Sequence, residues 1–164
     1  QENTQGLVRG LIFSFGIIIV VIGVTLRSVR FGLISVVPNV VPFLLAYGVL
    51  SIFTKVVTFS HTVAILIAIG LVVDATIHFL TKFKKANSMN LSPYDAIQYC
   101  YKYVGYPIIV ASVCLFSGFL FLIQSSFQTN YVLGGMCALI ILLALVIDLL
   151  LLPSLLLIFG NKSR

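Results

Sequence analysis

Charge is scarce in this sequence. Its 164 residues carry four acids and ten bases, 9% charged positions against 60% hydrophobic ones. Too little polar surface remains to cover a soluble domain of ordinary chemistry, which excludes that class. The bases form no face interleaved with exposed aromatics outside the apolar stretches, so nucleic acid is not an expected partner. Cysteine is sparse as well. Cys100, Cys114 and Cys137 are odd in number and lack a second cysteine or a histidine at ligand spacing. This argues against a disulfide framework or a metal site and reads them as small polarizable packing residues. No cofactor is implied, and the chain is expected to be a non-enzyme.

What the sequence has in abundance is apolar length. Spanning about 30 Å of hydrocarbon takes roughly 20 helical residues. Five stretches qualify, at about 7–26, 31–53, 61–81, 107–123 and 131–159. The expected fold is all-α, a polytopic membrane helix bundle of five transmembrane helices. One long joint reads as a further element. Ser92-Pro93-Tyr94-Asp95 supplies a cap, a proline at the first helical position and an acid in the first turn. Ile97, Tyr101 and Val104 then share a face. A short amphipathic helix over 93–104 is expected in the cytoplasmic interface, with Tyr94, Tyr99, Tyr101, Tyr103 and Tyr106 at headgroup depth and Gly105 and Pro107 turning the chain into the fourth span.

The joints also orient the chain. Arg27, Arg30, Lys82, Lys84, Lys85, Lys102, Lys162 and Arg164 fall on one side, and Arg9 and Lys55 on the other. The positive-inside rule makes the first side, with the carboxyl terminus, cytoplasmic. An odd number of spans beginning outside, at a Gln1 that is no initiator and with no signal peptide following, predicts a piece of a larger protein.

One residue dominates the chemistry. Asp74 lies inside Gly70-Leu71-Val72-Val73-Asp74-Ala75-Thr76-Ile77-His78-Phe79. A carboxylate at bilayer depth costs on the order of 3 kcal/mol, so an intramembrane acid is a functional-site candidate. His78 is one turn further on, on the same helix face. Asp148 on the fifth span either joins this polar centre or reaches interfacial water near the helix end that Pro153 marks. The second, structural role is the expectation. His61 is expected to be a solvated histidine at the outer border of the third span. Pro38 and Pro42 remove two backbone donors from the second span, making a packed kink or a hinge. Ala64, Ala68, Gly70, Gly134 and Gly135 permit close helix approach.

Taken together, Val37-Pro38-Asn39-Val40-Val41-Pro42, Gly70-x-x-x-Asp74-x-Thr76-Ile77-His78-Phe79, Ser125-Ser126-Phe127 before a glycine pair, and Asp148-Leu149-Leu150-Leu151-Leu152-Pro153 resemble the RND (resistance, nodulation, cell division) superfamily. The resemblance covers nearly the whole chain and is nearest to the hydrophobe/amphiphile exporter branch, related to MmpL-type lipid transporters and Patched. That family has two repeats, each of one helix, an extracytoplasmic domain and five further helices. This chain resembles the five helices, with the second repeat the better match. The resemblance implies a multi-pass protein of the inner (cytoplasmic) membrane, driven by protons and exporting a lipid or other hydrophobic molecule. Its partners would be membrane lipids and the rest of the transporter, namely the first repeat and the extracytoplasmic domains, with homo-oligomerisation left open. It also implies Asp74 as the titrating residue, with Thr76 and His78 as neighbours. Many relatives carry two consecutive acids where this chain has Asp74-Ala75, so a paired-carboxylate relay does not carry over. The same five-helix unit also resembles the sterol-sensing domain, which binds lipid and regulates a partner without pumping.

Overall fold

The computed structural model describes residues 2–53 and 59–160, without the side chains of residues 2–8, 11, 12, 14, 15, 53 and 59. Lys55, Lys162 and Arg164, three of the charges used for orientation, lie outside the described residues. Six α-helices follow one another: α1 Glu2–Leu26, α2 Val29–Phe53, α3 Phe59–Ser88, α4 Pro93–Cys100, α5 Tyr106–Leu122 and α6 Gln128–Phe159. Four segments, Val29–Ile52, Ser60–Ser88, Pro93–Leu122 and Gln128–Phe159, are long and apolar enough to cross a membrane, and Gly16–Leu26 of α1 is a shorter apolar helix. The chain is a multi-pass, all-α membrane helix bundle.

Each joint has a local cause. After α1, Arg27 takes a left-handed conformation (φ 47°). The Arg27 amide donates to the Val24 carbonyl at 3.1 Å and the Ser28 amide to the Gly23 carbonyl at 3.0 Å. This is the paired arrangement that closes a helix carboxyl end. Lys84 of α3 donates its ammonium to the Leu26 carbonyl, satisfying another open acceptor and tying α3 to the same end of the bundle. A Cβ on Gly32 would lie 3.4 Å from Gly23 Cα, so α1 and α2 approach closely there.

Where a helix is expected over 93–104, α4 runs over Pro93–Cys100 and opens as the residues imply. Ser92 Oγ accepts from the Asp95 amide at 3.2 Å and donates to Asp95 Oδ2 at 2.6 Å, and Pro93 begins the helix. Its apolar face, Ala96, Ile97 and Cys100, is buried. Cys100 Sγ lies 3.8 Å from the Phe79 carbonyl, so that face is packed on α3. The turn expected at Gly105 and Pro107 does not occur. Tyr101–Gly105 is a π-helical segment with right-handed geometry at both ends, and the path runs on into α5.

The long final helix, α6, packs against α2, α3 and α5 and carries a large share of the core, including Cys137, Ile140, Leu152 and Leu156. Pro153 does not end it. A proline removes the donor for the carbonyl four residues earlier, here that of Leu149. The Tyr101 hydroxyl donates to that carbonyl and replaces the lost donor, as membrane helices require. Tyr101 is therefore a cross-helix donor, with its ring edge-on to Phe79 at 5.8 Å, rather than a headgroup anchor.

Candidate functional site

Side chains two residues apart on a helix point about 200° from one another. Asp74 and Thr76 accordingly leave α3 on opposite sides, and the polar residues around them divide into two groups.

The first group is Asp74 with His78. His78 Nε2 stands 3.5 Å from Asp74 Oδ1, and the two side chains are 73% (Asp74) and 63% (His78) exposed among the described residues. They line a groove of about 260 Å³ between α3 and α5, whose walls include Leu71, Ala75, Val104, Ile108, Ser112 and Leu115. The i to i+4 spacing read from the sequence brings the pair together. Gly70 lies on the same outward side, and a Cβ there would meet open space. Its expected role in close helix packing is therefore corrected. That role belongs to Gly134, where a Cβ would come within 2.6 Å of the Phe119 carbonyl oxygen.

The second group is buried: Thr76 at 0% exposure, Asp148 at 2%, Asn39 at 2% and Ser35 at 1%. Thr76 Oγ1 lies 3.0 Å from Asp148 Oδ1 and 3.5 Å from Asn39 Oδ1. Asn39 Nδ2 donates to the Ser35 carbonyl at 2.7 Å, and Ser35 Oγ donates to the Gly32 carbonyl at 2.7 Å. One hydroxyl on α3 thus joins α2 to α6. Thr76 is eight residues from Lys84, Asn39 ten from Val29 and Asp148 eleven from Phe159. At 1.5 Å per residue these positions lie about 12 to 17 Å along their helices from that end of the bundle.

Three expectations change here. Thr76 is not a neighbour of the Asp74–His78 pair, since it faces the other way. Asp148 is not near a helix end, because α6 continues past Pro153 to Phe159 and buries Asp148 against Thr76 of α3. His61 is not solvated either: in the first turn of α3 it is buried, as are Thr62 and Ala64 beside it on the helix. Pro38 and Pro42 lie inside an unbroken α2, on either side of Asn39. Sequence reasoning passed over Asn39 as a polar partner and Tyr101 as a donor. An asparagine between two prolines in an apolar span is itself a signal, since a polar side chain at membrane depth has to find a partner.

The two groups nearly meet. A cavity of about 20 Å³ lies against Asp148 and shares Leu71, Ala75, Ser112 and Leu115 with the Asp74 groove. That is room for about one water molecule.

A family model described as the MMPL family matches residues 2–164, and the chain belongs to that family as an RND/MmpL-type transmembrane region. No curated protein matches the sequence.

Proposed function

We propose that this chain is the membrane part of a proton-motive-force-driven RND-type exporter of lipids or other hydrophobic and amphiphilic molecules, coupled through Asp74. The observation that carries this reading is an acid inside a membrane-length apolar helix, one turn from a histidine and facing out of the five-helix unit into a groove. A charge in that position is tolerated only where water, a partner segment or a proton can reach it. The open face leaves Asp74 available to the remainder of the transporter.

In this mechanism protonation of Asp74 removes a charge from membrane depth, and His78, 3.5 Å away, accepts or shares the proton. The helices that border the groove, α3 and α5, then repack. One proton moved through 100 mV supplies about 2.3 kcal/mol, enough to bias a two-state element. The chain acts as a carrier rather than an enzyme. On this reading the basic end holding Arg27 and Lys84 faces the cytoplasm, with the carboxyl end on the same side, and the membrane is the inner one because the family resemblance implies it.

In the full-length parent, Asp74→Asn should abolish proton-coupled export while expression and insertion persist, because an amide keeps the shape and cannot ionise. Normal export by that variant would refute the coupling. A second reading, a lipid-sensing domain that regulates a partner, is favoured by one feature: an apolar groove of about 410 Å³ at the bend between α1 and α2, with Arg27 among its lining residues. A sensor would keep its lipid response in Asp74→Asn, whereas the exporter would lose its pH-gradient dependence.

A further inference from the structure

Three oxygens converge in the buried group, and hydrogen-bond counting shows what is missing. The Asn39 amide is fixed in orientation because Nδ2 donates to the Ser35 carbonyl at 2.7 Å, which leaves Oδ1, an acceptor, pointing at Thr76. Asp148 Oδ1 approaches the same hydroxyl from the other side at 3.0 Å. Thr76 has one hydrogen to give. With an ionised Asp148, the hydroxyl serves either the carboxylate or the amide oxygen, and the other is buried without a donor. Among the described residues no cationic side chain pairs with Asp148, and an isolated buried carboxylate is far more costly than a neutral acid. If the acid carries a proton, every oxygen is satisfied. Asp148 donates to Thr76 Oγ1, and Thr76 donates to Asn39 Oδ1.

We infer that Asp148 is a second proton-binding site, held as the neutral acid at the head of a chain Asp148 to Thr76 to Asn39 on the face of α3 opposite Asp74. This goes beyond the coupling proposed for Asp74 and does not depend on it. The groups around Asp148 are Thr76 from α3, Asn39 and Ser35 from α2, Ser112 from α5 across the small cavity, and Tyr101 from the π-helical segment, whose hydroxyl holds the adjacent Leu149 carbonyl. Asp74 and His78 lie on the far side of α3.

The site is also a latch. Loss of the proton turns Asp148 into an acceptor, the Thr76 hydroxyl swings fully to it, and Asn39 loses its link to α3. The helix released is α2, at the one stretch where Pro38 and Pro42 have already removed two backbone donors. Proton occupancy at Asp148 therefore sets how firmly α2 is held to α3 and α6. The cavity of about 20 Å³ beside Asp148, walled from the Asp74 groove by Ala75 and Ser112, is where a single water would pass the proton.

Infrared difference spectroscopy on the full-length parent in lipid bilayers reads the proton directly, through the carbonyl stretch of a protonated carboxyl group at neutral pH. The band should be present in wild type, absent in Asp148→Asn and unchanged in Asp74→Asn. Thr76→Val should move it to higher wavenumber, because its hydrogen bond is lost, and Thr76→Ser should restore it. No such band in wild type, or a band that survives Asp148→Asn, overturns the inference. A thermal melt covers the case of a damaged variant. The side-chain amide introduced by Asp148→Asn has an N–H to donate to Thr76, as the neutral acid does, so this variant should melt at or above wild type. A melt well below wild type means the fold uses the ionised form, and the inference fails.

Discussion

The two faces of α3 both carry polar side chains and treat them oppositely. On one, Asp74 and His78 stand open in a groove, touching each other at 3.5 Å. On the other, Thr76 is fully buried and joined to Asp148 and Asn39. An open polar pair contributes little to holding helices together. A buried group holds three helices and is costly to disturb. Polar residues in a membrane helix are thus not one class: the face on which each leaves the helix decides whether its partners lie in an open groove or inside the bundle.

The largest expected contrast tests that division directly. Asp148→Leu removes the α6 partner of Thr76 and forces a bulkier apolar chain into a packed site, so it should destabilise the bundle by about 2 to 4 kcal/mol. Asp74→Leu removes a charge from an open face and should stay within about 0.5 kcal/mol of wild type. Thermal melting of the full-length parent in detergent compares the two. Equal losses would mean that the groove face is covered and structural, and the distinction would collapse.

Glycines sharpen the same comparison at a smaller scale. A methyl group at Gly134 meets the Phe119 carbonyl and the Leu122 side chain, so Gly134→Ala should cost about 1 to 3 kcal/mol as α5 and α6 are pushed apart. At Gly70, on the groove side, the added methyl meets nothing. There the variant gains the helix propensity of alanine, so Gly70→Ala should raise stability by up to about 1 kcal/mol. A destabilised Gly70→Ala protein would show that something packs closely on the Asp74 face in the full transporter, which would redefine that face as an interface.

How much of this was legible beforehand follows from what each signal encodes. Apolar length is written in the sequence, so the all-α membrane class, and the Ser92 cap with Pro93 and Asp95, could be read without a structure. The Asp74–His78 contact was legible too, because i to i+4 geometry is local. The direction in which Asp74 and Thr76 point was not. A soluble helix announces its buried side by contrast with a polar one, whereas α3 and α6 are apolar on nearly every side, which hides the inward face. The burial of Asp148 depended on the same missing information, compounded by Pro153. Its expected helix-ending effect is cancelled by the Tyr101 hydroxyl, forty-eight residues away in sequence from the carbonyl it serves. Prolines, buried acids and tyrosines in membrane helices have to be read as donors and acceptors seeking partners across the bundle. By that rule Asn39, between two prolines, would have been flagged.

The smallest expected effect is the most diagnostic for Asp74. The acid precedes the base by four residues, the favourable order for an ion pair on a helix. Even so, two side chains more than half exposed and 3.5 Å apart should couple by only about 0.3 to 0.5 kcal/mol in stability. A double-mutant cycle of wild type, Asp74→Asn, His78→Gln and the double variant in the full-length parent, read by thermal melting and by export in parallel, separates two meanings of the contact. If it is a proton-sharing pair, the stability coupling is near that small value. The export losses, by contrast, are strongly non-additive, with the double variant little worse than Asp74→Asn alone, because residues acting as one unit fail together. If the contact is a strut between turns of α3, the pattern inverts, with a stability coupling well above about 1 kcal/mol and independent, additive effects on export. That inversion would move Asp74 into the same architectural class as Thr76, leaving Asp148 as the only proton-binding acid proposed on these two faces.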